Sequence, residues 1–417
     1  MHDELQNQDM RIVFLLNLLV IVGSISVYAQ SVYGAWEGQL HAGGKELTLV
    51  FHFSEECSSM DSPDQGAYGI EAENNLLSAD SVSISIPALG ASFNGRLIQG
   101  KITGVFCQMG MPFKIELMPT EIKPLVRPQT PQPPYGYATE EIVFTNPRDN
   151  ALLSGTLTIP QKRLADGCFP VVVLVSGSGL QDRDETLFGH KPFLVLSDWL
   201  ARNGIASLRY DDRGCGKSTG SVESATTEVF MWDAASALEY LRGRNEFSAV
   251  GVLGHSEGGT IGFMLGARQL ADFVISMAGT GVCGDTILAE QNNMVLQRQG
   301  LAHHVTAQDI RESVKVKSDP WLSYFCSYNP AEAIAATHCP VFALNGELDM
   351  QVTVQTNLEA IRKHLPVNEL NLVKGYARLN HLFQHAQSGG VEEYAILEET
   401  MSEDVLNDIV SWIRSLK

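Results

Sequence analysis

The spacing of apolar residues along the chain changes near residue 137. Before it, short segments at 47–53, 82–86 and 113–117 alternate apolar and polar residues, with turn-forming residues between them. A period of two is typical of half-buried β-strands. About eight such strands predict a small β-sandwich or barrel over residues 30–118. This region contains no cluster of a nucleophile and a base, so we expect a scaffold without chemistry of its own. Binding, dimerisation or lid-like shading of a neighbouring site are the alternatives.

After residue 137, continuous apolar runs alternate with amphipathic helical stretches. Runs of this kind are typical of strands buried on both faces of a parallel sheet. They predict a doubly wound, mostly parallel α/β sheet of about eight strands over residues 137–417, beginning with an antiparallel pair. The predicted strands are 140–144, 151–159, 171–175, 205–210, 249–253, 273–277, 341–344 and 370–373.

Two further segments complete the predicted domain organisation. Residues 119–136 contain six prolines, which favour a stiff, extended linker between the domains. Residues 284–328 are helical and irregular, and they interrupt the sheet after its sixth strand. We interpret this insertion as a lid over the carboxyl edge of the sheet.

The first 29 residues have the pattern of a signal peptide rather than of a fold. Arg11 precedes an apolar run at 12–22, and small residues follow up to Ala29. The run is short for a membrane span. We therefore expect export to a periplasm or beyond, without stable membrane insertion once the segment is cleaved.

Charge and cysteine content exclude some classes of function. The net charge is −19, with 29 basic and 48 acidic residues, which disfavours nucleic acid and anionic membranes as partners. Seven cysteines with no C-x-x-C spacing and no His/Cys cluster suggest no metal site. We expect mostly unpaired thiols, with a Cys57–Cys107 disulfide as the alternative. The sequence leaves a homodimer open.

The strongest chemical signal is Gly-His-Ser-Glu-Gly at 254–258, between an apolar strand and an apolar helix. This context places a serine, here Ser256, on a sharp turn at the top of a sheet. A serine hydroxyl needs a base, and the base needs an orienting carboxylate. In this architecture the acid and then the histidine follow late strands. Asp349 and His381 occupy those positions, with Glu347 as the rival acid.

The oxyanion formed during acyl attack needs backbone N–H donors. We predict that Glu257, directly after the nucleophile, supplies one, and that Ser178 in a glycine-rich loop supplies the other. The charges at 180–184 fit either substrate binding or a structural Asp–Arg network. The segment 213–218 lacks the first glycine of a phosphate-binding loop, because residue 211 is aspartate. We therefore interpret it as a turn and predict no cofactor.

Five strings together resemble the exported bacterial serine esterases of the α/β-hydrolase superfamily, which carry an N-terminal β domain. That group is related to the serine aminopeptidase and dienelactone hydrolase branches. The resemblance implies carboxylic-ester hydrolysis through an acyl-enzyme, with Ser256 as nucleophile, Asp349 as acid and His381 as base. Two departures are Ser176, where the family usually has histidine, and a lid shorter than expected. The strings lie at 176–184, 209–214, 254–259, 344–349 and 379–383.

The predicted function is therefore hydrolysis of a small-molecule ester, with short-chain acyl groups expected. Two alternatives stay open at this point. One is a serine aminopeptidase or dipeptidyl-peptidase-like hydrolase that holds a substrate amine with Glu257 or an aromatic lid residue. The other is a binding protein whose hydrolase domain has lost its activity.

Overall fold

The computed structural model describes residues 31–42, 45–55, 57–65, 67–121, 126–161, 168–298, 300–317 and 319–416. The chain divides into two compact units at residues 123 and 124. The predicted signal peptide lies outside the described residues. No helix among the described residues has the length and apolar character needed to cross a membrane.

The first unit is a closed antiparallel barrel in which every strand pairs with the next and β1 pairs with β8. Of the two architectures predicted for this region, the structure shows the barrel. Alternate residues fill its interior, where Phe51 and Phe93 stack with ring centroids 4.8 Å apart. The strands are β1 (Gly34–Ala42), β2 (Lys45–Phe53), β3 (Ser58–Ser62), β4 (Ala67–Leu77), β5 (Ser81–Ile86), β6 (Ala91–Ile98), β7 (Lys101–Gln108) and β8 (Met111–Pro119), with 3₁₀ turns at Pro63–Gln65 and Pro87–Leu89.

The second unit is built on one eight-stranded sheet of order β16-β15-β14-β13-β11-β12-β10-β9. The β9–β10 and β10–β12 pairs are antiparallel and the other pairs are parallel. The prediction of a mostly parallel sheet that begins with an antiparallel pair is confirmed. The strands are β9 (Ala138–Asn146), β10 (Ala151–Ile159), β11 (Phe169–Val175), β12 (Ala206–Tyr210), β13 (Phe247–His255), β14 (Val274–Met277), β15 (Val341–Gly346) and β16 (Leu372–Tyr376).

Helices cover both faces of this sheet, so two apolar cores form. Along β11, Val171 and Val173 belong to one core, whereas Val172 and Leu174 belong to the other. The continuous apolar run of β11 is explained by this two-sided burial. The helices are α1 (Pro192–Arg202), α2 (Thr227–Gly243), α3 (Glu257–Ala267), α4 (Gly284–Arg298), α5 (Ala307–Lys317), α6 (Pro320–Ser327), α7 (Pro330–Ala336), α8 (Glu359–His364), α9 (Val391–Tyr394) and α10 (Glu403–Ser415), with a π-helical turn at Val354–Leu358.

Some predicted boundaries differ from the structure. The last strand runs from Leu372 to Tyr376 rather than over 370–373. The C-terminal part of the predicted linker packs against the second unit: the Arg127 guanidinium donates to the carbonyls of Phe188 and Ala395. Proline content predicts a local backbone conformation, but it does not predict the surface against which a segment packs. This packing therefore could not be predicted from the sequence.

Cys57 and Cys107, which have a predicted pairing as the alternative, both belong to the first unit. Cys57 is an exposed free thiol and Cys107 is a half-buried one, so the alternative Cys57–Cys107 disulfide is not present.

Candidate active site

Ser256 lies on the turn that joins β13 to α3. Its backbone has φ 54° and ψ −117°, a strained conformation for a residue with a side chain. The turn is tight because the glycines on either side permit close backbone approach. A Cβ at Gly254 would lie 1.9 Å from the Gly258 carbonyl oxygen, and one at Gly258 would lie 2.1 Å from the carbonyl oxygen of Val175. Only glycine fits at these positions, and the strained turn presents the serine hydroxyl above the sheet.

Asp349 and His381 meet at the carboxyl edge of the sheet. The Nδ1 atom of His381 lies 2.7 Å from Oδ2 of Asp349, and both residues are buried. The other carboxylate oxygen, Oδ1, accepts the backbone N–H groups of Gln351 and Val352 at 2.7 and 2.9 Å. With Nδ1 donating to the aspartate, Nε2 is left to accept a proton.

The rival acid Glu347 and two further histidines, His385 and His364, are placed differently. The Glu347 side chain is exposed, and the carboxylate that contacts His381 belongs to Asp349. His385 is exposed and bonds to Glu399 at 2.9 Å. His364 is the last residue of α8.

One cavity of about 350 Å³ brings the predicted site residues together. Ser256, His381 and Ser178 all line it, whereas Asp349 lies behind the His381 ring. Part of the wall comes from the insertion predicted as a lid, through Ile287, Leu288, Gln291, Trp321 and Phe325. The remaining lining is mainly apolar and includes Leu187, Phe188, Val352, Leu382, Val391 and Tyr394.

Of the predicted oxyanion donors, Ser178 lines this cavity, and Glu257 directly follows Ser256 in the chain. The N–H of Gly177 donates to Glu185 Oε1 at 2.9 Å, so Ser178 is the next donor along that loop. Glu257 is the first residue of α3, and the first N–H groups of a helix have no intrahelical acceptor. This arrangement is compatible with an oxyanion hole, and the assignment of Ser178 and Glu257 to it stays a prediction.

Part of the second unit is similar to a known protein family. A family model described as serine aminopeptidase, S33, matches residues 192–367, which include Ser256 and Asp349. The second unit has the α/β-hydrolase fold. Esterase EstD of Thermotoga maritima is 29% identical over 273 residues, which are 63% of this chain and 65% of that relative. The chain therefore spans slightly less than two thirds of the relative that it matches.

Solved structures show a looser likeness. The Pyrococcus furiosus esterase Pf2001 is 15% identical with a TM-score of 0.45, and the match covers 67% of this chain and 90% of that esterase. The α/β hydrolase GrgF of a Penicillium species is 14% identical with a TM-score of 0.47, and the match covers 67% of this chain and 98% of GrgF. The α/β-hydrolase fold is therefore assigned to the second unit from the strand order of its sheet.

The Glu257 carboxylate is buried against Trp321 of the segment predicted as the lid. It accepts hydrogen bonds from Thr227 Oγ1 at 2.6 Å and from Trp321 Nε1 at 2.9 Å. Burial raises the pKa of this carboxyl. Since the side chain does not line the cavity of Ser256, its carboxylate is committed to holding helix α6 of the lid.

The charged string after the glycine-rich loop is structural. The Arg183 guanidinium contacts Asp211 at 2.7 Å and Glu141 at 2.8 Å. Arg213, which begins the phosphate-loop-like segment, pairs with Asp233 at 2.7 Å in the turn after β12. These contacts favour the structural reading of 180–184 over substrate binding.

Two residues of the site were missed in the sequence. Glu185 and His255 are both buried in the cavity wall, and Nδ1 of His255 lies 2.9 Å from Oε1 of Glu185. Glu185 directly follows the charged string and His255 directly precedes the nucleophile. The positions are 70 residues apart, and no spacing rule predicts their contact. Within the described ranges, no group of three or more His, Cys, Asp or Glu side chains is arranged to hold a metal ion.

Proposed function

We propose that this chain is a carboxylic-ester hydrolase that works through an acyl-enzyme on Ser256. The observation that carries the proposal is geometric. A serine on a strained strand-to-helix turn shares one cavity with a histidine whose Nδ1 atom lies 2.7 Å from a buried aspartate. The similarity to Esterase EstD supports the same reaction class.

In the proposed mechanism, His381 Nε2 takes the hydroxyl proton as Ser256 attacks the ester carbonyl carbon. The Asp349 carboxylate stabilises the imidazolium, and the N–H groups of Ser178 and Glu257 bind the oxyanion. The intermediate collapses to the acyl-enzyme, and the alcohol leaves with the proton from His381. His381 then activates a water molecule that releases the acid and restores the serine.

The cavity supports small ester substrates. Its volume of about 350 Å³ lies at the lower end of the range for small-molecule sites. Its lining includes the apolar side chains of Leu187, Phe188 and Leu382, which suit an acyl chain. We therefore propose short-chain acyl esters as the substrate class.

A second candidate, a serine aminopeptidase, is suggested by the description of the matching family model. Such an enzyme holds the ammonium group of its substrate with a carboxylate or an aromatic ring in the cavity. The Glu257 carboxylate does not line the cavity and accepts hydrogen bonds from Thr227 and Trp321. The Glu185 carboxylate does line the cavity, but it faces Nδ1 of His255 and accepts the Gly177 N–H. Faster cleavage of aminoacyl-naphthylamides than of p-nitrophenyl esters would favour this candidate.

The proposal is tested by the Ser256→Ala variant with p-nitrophenyl acetate and butyrate. We expect turnover to fall by about 10⁴-fold or more, because the loss of a triad member removes the covalent route. Ser236→Ala is a matched control, since Ser236 lies on α2, buried and outside the cavity lining. Circular dichroism verifies that both variants fold. Undiminished turnover in Ser256→Ala would contradict the proposal.

A further inference from the structure

His255, the residue before the nucleophile, is fixed by contacts through both of its ring nitrogens. Nδ1 lies 2.9 Å from Oε1 of Glu185, and Nε2 lies 3.0 Å from the backbone carbonyl oxygen of His381. Its ring centroid is 4.8 Å from that of His381. His255 thus bonds directly to the segment that carries the catalytic base.

The partners of the ring decide where its protons are. A carbonyl oxygen only accepts hydrogen bonds, so Nε2 of His255 carries a proton. Oε1 of Glu185 accepts the Gly177 N–H and also faces Nδ1, so a proton on Nδ1 has an acceptor as well. With acceptors facing both ring nitrogens, these contacts favour the imidazolium form of the ring. Burial lowers the pKa of His255, but the charge and hydrogen bond of Glu185 outweigh it and the net shift is upward.

The placement of Glu185 is unfavourable for stability. Its backbone has φ 51°, in the left-handed region that residues with side chains rarely adopt. Its second oxygen, Oε2, is buried and has no hydrogen-bond partner among the described residues. A buried ion pair with an unpartnered oxygen is a poor source of stability compared with apolar packing. Stability therefore does not explain why this pair lies in the wall of the cavity.

We propose that Glu185 and His255 are a positioning pair that holds the three catalytic loops in register. Glu185 binds the loop of the predicted oxyanion donor through Gly177, His255 belongs to the nucleophile turn, and its Nε2–H holds the backbone of the His381 loop. The inference rests on the proposed function. It adds two residues of the cavity wall that act by determining how the reacting groups meet.

The pair matters because catalysis depends on the mutual placement of its groups. A misplacement of about 1 Å costs on the order of 100-fold in rate. Glu185 connects the oxyanion loop with the nucleophile turn directly, and through His255 it reaches the base. Loss of the pair is therefore expected to lower kcat rather than to weaken substrate binding.

The test uses Glu185→Gln in the full chain. The amide has the shape of the carboxylate but no charge, so the His255 ring becomes neutral and has one N–H for two acceptors. We expect kcat for p-nitrophenyl acetate to fall by about 10- to 100-fold, with KM changed by less than about 3-fold. The labelling rate of Ser256 by a fluorophosphonate should fall by the same factor.

A matched control and a spectroscopic readout separate positioning from a merely structural role. Asp233→Asn removes another buried carboxylate that faces a buried cation, Arg213, outside the cavity lining. It should change stability but neither kcat nor the labelling rate. In ¹⁵N-histidine NMR spectra near pH 7.5, His255 should be protonated on both nitrogens in the wild type and on one in Glu185→Gln.

The outcomes are distinct. A kcat and labelling rate within about 2-fold of wild type in folded Glu185→Gln, or a neutral His255 ring in the wild type, would overturn the inference. If Glu185→Gln fails to fold, His255→Gln replaces it and should show the same loss of labelling rate. A wild type that hydrolyses no ester contradicts the proposed function alone, because fluorophosphonate labelling still tests the pair.

Discussion

The two units of the chain differ in what they bury. In the described part of the barrel, the buried polar residues are Ser58 and Ser62, and the core is aromatic and aliphatic. The second unit buries many ionisable side chains, and those close to Ser256 or to the oxyanion loop include Glu185, Asp212, His255, Glu257, Asp349 and His381. Polar groups cost free energy when they leave water and are retained where they have partners or a use. The contrast fits the proposed function, in which groups of the second unit carry the chemistry.

Among the changes that test this difference between the two units, Asp349→Asn is expected to have the largest effect on kcat. The amide no longer stabilises the His381 imidazolium and favours the wrong tautomer of the ring. We expect kcat for p-nitrophenyl acetate to fall by about 10³- to 10⁴-fold. Glu347→Gln is the matched control, because this nearby carboxylate is exposed, and its kcat should stay at the wild-type value. A loss below about 10-fold in Asp349→Asn would place the acid elsewhere.

The converse experiment changes the barrel. Phe93 is fully buried between its neighbours, and Phe93→Ala should lower the free energy of unfolding of the barrel by about 3–5 kcal/mol. Since every proposed catalytic group lies in the second unit, kcat for p-nitrophenyl acetate should stay within about 2-fold of wild type. Denaturant unfolding followed by circular dichroism, together with kcat at 25 °C, measures both quantities. A comparable loss of kcat would break the division of roles between the units.

A smaller effect concerns the free energy of unfolding, because the carboxyl of Asp212 is buried beside the predicted oxyanion loop. Burial raises its pKa to about 7, although it accepts hydrogen bonds from Gln181 and Ser176. The folded state therefore holds this proton over a pH range in which the unfolded state has released it. The contribution of Asp212 to stability falls as pH rises from about 4 to 7.

Asp212→Asn removes this titration. Between pH 5 and 8, the wild type should lose about 2–3 kcal/mol of unfolding free energy relative to the variant. Urea unfolding curves of both proteins at several pH values provide the measurement. A difference that does not change with pH would show that Asp212 is ionised in the folded state throughout.

The features that could be predicted from the sequence are those that depend on local patterns of residues. The parallel sheet and the positions of Ser256, Asp349 and His381 follow from local patterns: apolar runs, a glycine-flanked serine, and acid and base after late strands. The choice between a sandwich and a barrel does not follow from local patterns, because closure of the barrel depends on the pairing of β1 with β8 across most of the domain.

The missed residues of the site share one property, which is a partner remote in sequence. Glu185 meets His255, and Trp321 meets Glu257 across 64 positions. A sequence does not distinguish a buried carboxylate from an exposed one. The burial of Glu185 and its contact with His255 can be identified only in the folded chain.

A covalent intermediate on Ser256 is tested most directly by locating the bond to a covalent probe. Wild-type protein is treated with a fluorophosphonate, digested, and mapped by mass spectrometry. We expect a stoichiometric adduct on Ser256, loss of ester turnover in proportion to labelling, and no adduct in Ser256→Ala. Ester turnover that persists in fully labelled protein, or an adduct on another residue, would contradict this expectation.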